Sequence, residues 1–214
     1  MSVVNYDRER TAIIEVGLRL YQKGLVTANE GNISIRVANG HLVTSSGVSK
    51  GFLTPEHVIL TDGEGHSPSG GLAVSSEDKM HAAIYQRRPE VQAVIHAHPP
   101  TATAFAVAHV PLDARILAES VVVLGDVPLI PYSIPGTLEL ASAVADGLGD
   151  RHAALLANHG AVTVGRTLAQ AHQRMETLEH VAQVALMARL LGGARELSAA
   201  EVERLLRATS GPYR

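Results

Sequence analysis

Two histidines one residue apart, His96 and His98 in the run Val94-Ile95-His96-Ala97-His98-Pro99, are the side chains best placed to do chemistry. A strand sends alternate residues to one face, so both imidazoles point the same way at metal-chelating separation. A third histidine, His159, stands where the apolar run Leu155-Leu156-Ala157-Asn158 ends against Gly160, and a second strand could bring it to the same point. Glu77, in Ser75-Ser76-Glu77, offers a carboxylate. Three neutral imidazoles and one carboxylate form a shell for catalytic zinc or a related divalent cation, with one position left to substrate. Glu77 has two roles open to it: a resting ligand, or a base released when substrate oxygens displace it. The competing reading is that these are satisfied strand histidines.

The elements that must position these groups follow from periodicity. Ile13, Val16 and Leu20 recur at helical spacing over about residues 7–23, with Gly24 as C-cap. Ile33, Ile35 and Val37 alternate with polar residues, Asn39-Gly40 supplies a two-residue turn, and Leu42 to Thr44 runs back. Val58 to Thr61 reads as a strand, followed by an Asp62-Gly63-Glu64-Gly65 turn and a Gly/Ser/Pro loop to Ala73. Ser75 or Ser76 is expected to cap a helix through Met80, Ile84 and Tyr85, with Glu77 in its first turn. Strands are expected at Val91–Ala97, Val127–Ile130, Ala153–Ala157 and Ala161–Val164. Helices are expected from Pro100 to Phe105, Leu138 to Leu148 and Leu168 to Leu191, and a last one capped by Ser198 with Glu201 as its capping-box partner. Strands alternating with helices predict an α/β sandwich around a mixed central sheet, in one domain spanning 1–214.

Three short segments suit an anionic group: Glu30-Gly31-Asn32, Ser45-Ser46-Gly47 and Ser75-Ser76. Glycine lets the main chain approach a phosphate, and serines add hydroxyls to unsatisfied N–H donors. Gly-Asn and Ser-Gly also mark ordinary turns. Lys50 reads as a surface lysine. His81, four residues after Glu77, shares its helix face and either orients the carboxylate or packs against the sheet. His41, His57, His66, His109, His152, His172 and His180 read as structural or solvent-facing.

Composition removes several function classes. The 214 residues carry 18 basic and 21 acidic side chains, a net charge of −3, so there is no broad basic field for nucleic acid. No cysteine is present, which excludes disulfides, thiolate ligands and a cysteine nucleophile. Aromatic content of 3% without tryptophan leaves few stacking platforms. The N-terminus lacks the basic and apolar regions of a signal peptide, and no apolar run is long enough to span a bilayer. The expectation is a cytoplasmic protein acting on a small polar molecule.

Taken together, Gly31-Asn32-Ile33-Ser34, Thr44-Ser45-Ser46-Gly47, Ser75-Ser76-Glu77, His96-Ala97-His98, Pro131-Tyr132 with Gly136-Thr137, and Asn158-His159-Gly160 resemble the class II aldolase family. That family includes L-fuculose-1-phosphate aldolase, L-ribulose-5-phosphate 4-epimerase and the adducin head domain. The resemblance runs end to end and implies a three-layer α/β/α sandwich on a mixed, largely antiparallel sheet. It also implies a homotetramer with zinc sites near subunit interfaces, manganese or cobalt being alternatives. By resemblance His96, His98 and His159 are metal ligands, and Glu77 is both a resting ligand and the acid/base. Gly31, Asn32, Ser46, Gly47, Ser75 and Ser76 match the phosphate-binding positions. The implied activity is cleavage of a ketose 1-phosphate to dihydroxyacetone phosphate and an aldehyde. Alternatives on the same scaffold are a sugar-phosphate 4-epimerase, a decarboxylase of a phosphorylated keto acid, and a non-catalytic adducin-like binding module. One departure stands out: the family's catalytic tyrosine is missing from the stretch Ile116 to Leu124. Tyr213 corresponds loosely to a tail tyrosine of the family and is the candidate replacement, with Glu119 as a second.

Overall fold

The computed structural model describes residues 5–62, 66 and 72–209. Its centre is one seven-stranded sheet: β1 (Asn32–Val37), β2 (Gly40–Thr44), β3 (Val58–Thr61), β4 (Ala93–Ala97), β5 (Leu129–Ile130), β6 (Ala153–Leu156) and β7 (Gly160–Gly165). The spatial order is β3-β2-β1-β4-β7-β6-β5. Every pairing is antiparallel except β5 with β6, which is parallel.

Alternation along the central strands sorts two cores. Ile33, Ala93, Ile95, Ala97, Ala153, Leu155 and Ala161 face one side. There they meet α1 (Asp7–Gln22), α3 (Pro100–Val107) and α6 (Leu168–Leu190). Val94, Ala154, Leu156, Val162 and Val164 face the other, against α2 (Asp78–Arg87) and α5 (Leu138–Leu148). With both faces covered, all five residues of β4 are buried, which is why its sequence is apolar throughout except for His96. These are the three layers that the sequence and the resemblance imply. Among the described residues no helix is long and apolar enough to cross a membrane.

Several boundaries differ from expectation, each for a local reason. Val37 pairs with Gly40, so the hairpin loop is Ala38-Asn39 and Gly40 opens β2. The strand expected from Val127 shrinks to Leu129–Ile130, because Pro128 has no N–H to give a ladder. The strand expected from Val91 begins at Ala93. The short helix α4 (Ala118–Val123) was not anticipated. Neither Ser75 nor Ser76 is the N-cap of α2: Glu77 occupies that position without a side-chain cap bond, its carboxylate being turned to His96 and His159 instead. The Gly24 termination holds, with φ of 67° just past α1 and Leu25 N donating to Leu20 O at 2.9 Å. So does the Ser198–Glu201 capping box that opens α7 (Ala199–Ala208). Most of the expected 62–65 turn and the loop to Ala73 lie outside the described residues.

Candidate metal and phosphate site

Three chain segments converge at one end of the sheet. β4 carries His96 as its next-to-last residue and leads directly to His98, the turn from β6 to β7 carries His159, and the N-cap of α2 carries Glu77. Glu77 Oε2 lies 3.0 Å from His96 Nε2, and Oε1 lies 3.1 Å from His159 Nε2. His98 Nε2 is 3.1 Å from His96 Nε2. One nitrogen from each of the three histidines falls within 4.8 Å of the others. The spacing of His96 and His98 therefore acts as the strand period predicts.

Orientation is imposed from behind. His96 is fully buried and its Nδ1 sits 2.9 Å from Ala161 O, a carbonyl that accepts only N–H. This fixes a proton on Nδ1 and turns Nε2 toward the cluster. Burial, followed by the neighbouring imidazoles of His96 and His159, lowers the His98 pKa to about 4, so His98 is neutral near pH 7. Burial pushes the Glu77 carboxyl up, but the imidazoles of His96 and His159 outweigh it and hold the group well below the usual carboxylate range. Glu77 Oε1 is buried and, apart from the His159 ring nitrogen, has no hydrogen-bond partner among the described residues. Converging imidazole nitrogens beside a buried anionic oxygen are the donor set of a divalent cation, so the residues present fit a metal ion.

The three polar loops gather around this cluster. Asn32 faces His96 across the β1–β4 ladder, and its Nδ2 donates to Ser75 Oγ at 3.0 Å and to Glu77 Oε2 at 3.4 Å. Ser46 N donates to Ala73 O at 2.9 Å, and Ser45 bridges Val74, so the Ser46-Gly47 loop lies alongside the approach to Ser75-Ser76. Ser46, Gly47 and Ser76 are exposed. Gly31 has φ of 75° and packs so tightly on β4 that a Cβ there would sit 2.8 Å from His96 O.

Lys50 is a correction: it is 1% exposed rather than a surface residue. Its ammonium donates to Asn29 O at 2.9 Å and Val48 O at 2.7 Å, tying the loop that leads to Gly31 to the loop that contains Gly47. An apolar-to-polar count misses this, since only the fold shows two carbonyls turned inward. A buried network beneath the cluster was also missed. His41 Nε2 meets the Asp78 carboxylate at 2.5 Å, and Ser34 Oγ lies 2.6 Å from His81 Nδ1 and 2.7 Å from Tyr85 OH. His81 is thus packed against the sheet rather than bonded to Glu77. The signal available was Asn32, Ser34 and Arg36, the polar alternates of β1, which face α2. Glu119 is exposed on α4 and shares no hydrogen bond or ion pair with the cluster. Tyr213 lies outside the described residues.

Residues 11–186 match the model of the class II aldolase and adducin N-terminal domain. The chain belongs to the class II aldolase family. An L-fuculose phosphate aldolase of Methanococcus maripaludis is 35% identical over 177 residues, covering 81% of this chain and 94% of that protein. A 3-oxo-tetronate 4-phosphate decarboxylase of Escherichia coli is 32% identical over 204 residues, covering 92% and 94%. A solved L-fuculose 1-phosphate aldolase superposes with a TM-score of 0.89 at 29% identity, covering 97% of this chain and 98% of that one. Family membership thus carries the fold and an aldolase-type scaffold.

Proposed function

We propose that this chain is a zinc-dependent aldolase that cleaves a ketose 1-phosphate to dihydroxyacetone phosphate and an aldehyde. The observation that carries the reading is the convergence of His96, His98, His159 and Glu77, with Asn32 and Ser75 hydrogen-bonded beside them; Gly31, Ser46, Gly47 and Ser76, on the adjoining loops, are the further phosphate-binding residues of this reading. The three histidines would hold the ion, and Glu77 would complete the resting shell. Held there, a zinc ion would polarise a substrate carbonyl and stabilise negative charge developing beside it. The polar loops grip the phosphate through N–H groups and hydroxyls, which fixes the sugar chain relative to Glu77. The electron pair of the broken C3–C4 bond stays on C3, and Glu77, displaced by substrate, takes up the proton that leaves the C4 hydroxyl by way of Tyr213 and delivers it there. The C4 hydroxyl gives up its proton as the aldehyde forms, and Tyr213 is the assigned acceptor. The family supports a cytoplasmic homotetramer for such an enzyme.

A second reading, decarboxylation of a phosphorylated keto acid, is favoured by the similarity to the decarboxylase over 92% of the chain and by the absence of tyrosine between Ile116 and Leu124. Decarboxylation leaves electrons on the same carbon but forms no aldehyde, so it needs no acceptor for a C4 hydroxyl proton. The test is a panel of ketose 1-phosphates and phosphorylated 3-keto acids, scored for dihydroxyacetone phosphate and for carbon dioxide before chelation, after it, and after zinc is restored. Chelator-sensitive, zinc-restored release of dihydroxyacetone phosphate from a ketose 1-phosphate, without carbon dioxide, supports the aldolase. Carbon dioxide released from a phosphorylated 3-keto acid, with no cleavage of any ketose 1-phosphate, supports the decarboxylase. Neither product, from protein that purifies without stoichiometric metal, overturns both.

A further inference from the structure

The opposite end of the sheet gathers charge that the proposed reaction does not use. There β7 ends, β6 begins, and the chain enters β4 past Val91. These ends border a cavity of about 380 Å³, lined by Arg88, Arg166, Arg174 and His152 among others. Ala93 pairs with Gly165 and Ala97 with Ala161, so the length of β4 alone sets this cavity roughly 13 Å from the histidine cluster.

The three arginines come from three places: the C-terminal end of α2, the β7–α6 connection, and the body of α6. Arg174 is only 5% exposed. Its Nε and Nη1 donate to Val123 O and Val164 O at 3.2 and 2.6 Å, while Nη2 has no hydrogen-bond partner among the described residues. Among the described residues, neither Arg174 nor Arg166 has a carboxylate within ion-pair distance. Two acids line the cavity but do not neutralise it: Glu90 is taken by Arg88 Nε at 2.7 Å, and Asp150 is exposed and forms no ion pair. His152 completes the set with a buried Nδ1 that no protein group meets. Burial, together with Arg174, Arg88 and Arg166, lowers its pKa to about 4. A buried guanidinium held only by carbonyls retains an uncompensated charge, a costly arrangement unless an anion completes it.

We propose that this cavity is a second anion site, separate from the metal centre, which takes a small phosphorylated metabolite by its phosphate group. Guanidinium forks from different elements match the oxygens of a phosphate. The space exceeds what the phosphate alone fills and is of the size that holds a small organic ligand.

The test titrates inorganic phosphate into the zinc-loaded full chain with ¹⁵N-labelled histidines, against sodium chloride at equal ionic strength. The His152 signals, assigned by their loss in H152Q, are expected to move saturably with phosphate and not with chloride. R166E, at an exposed position, is expected to weaken this response roughly tenfold, and R166Q by less. A His152 shift matched by chloride overturns the proposal. So does a phosphate response unchanged in R166E and R166Q, because the shift would then be relayed from the metal centre.

Discussion

Glu77 is asked to be both ligand and proton carrier, and the two roles separate on substitution. E77Q keeps the size and the contact with Asn32 but removes the charge and the transferable proton. Turnover should fall by about 10²–10⁴-fold, while competitive inhibition by inorganic phosphate persists, because the polar loops do not depend on the carboxylate. Steady-state rates with phosphate as inhibitor check this. Gly31 sets the steric condition of the same spot. With φ of 75° and His96 O where a Cβ would go, G31A should cost about 2 kcal/mol or more in a urea melt and weaken zinc binding by displacing β4. The glycine and the histidine pair were legible from the sequence because each is a local signal. Lys50 was not, because burial of its ammonium depends on two loops far from each other in type and purpose.

At the scale of elements, the turn that presents His159 is the most tightly specified piece. Asn158 takes φ of 54°, a conformation that costs most side chains about 1–2 kcal/mol. His109, itself at φ of 54°, holds it through Nε2 to Asn158 Oδ1 at 2.7 Å. Gly160 follows because a Cβ there would lie 2.5 Å from His98 Cδ2. N158A should therefore lower both stability and zinc affinity. N158G should recover most of the backbone cost, and H109A should lose about 1 kcal/mol. Chemical denaturation and zinc titration of the three variants give the comparison. The sequence marked His159 and Gly160 but had no means of marking His109, which lies 49 positions away from its partner. The missed α4 has the same origin, since packing decides it and not periodicity, whereas the shortening of β5 was legible in Pro128.

The whole molecule carries one alkaline signature. Burial lowers the Lys50 pKa to about 8 from 10.5, with Glu30 opposing. Between those values the unfolded chain holds a proton that the folded chain has released, so stability rises with pH across that window. The penalty for burying the ammonium is fully present below pH 8 and relieved by 10.5. Relative to K50M, the native chain should gain of order 1–3 kcal/mol over this interval, read as the difference between two denaturation series. A gain shared equally by K50M would assign it to other groups.

The sheet that places all of this ends in strands of four and two residues, β3 and β5. Edges so short offer little template for another chain to add a strand, which protects the molecule from edge-to-edge aggregation. Copies of this chain that come together would then do so through side chains on helices and loops rather than by extending the sheet. Leu186, Met187, Leu190 and Leu191, exposed toward the end of α6, supply apolar surface of that kind.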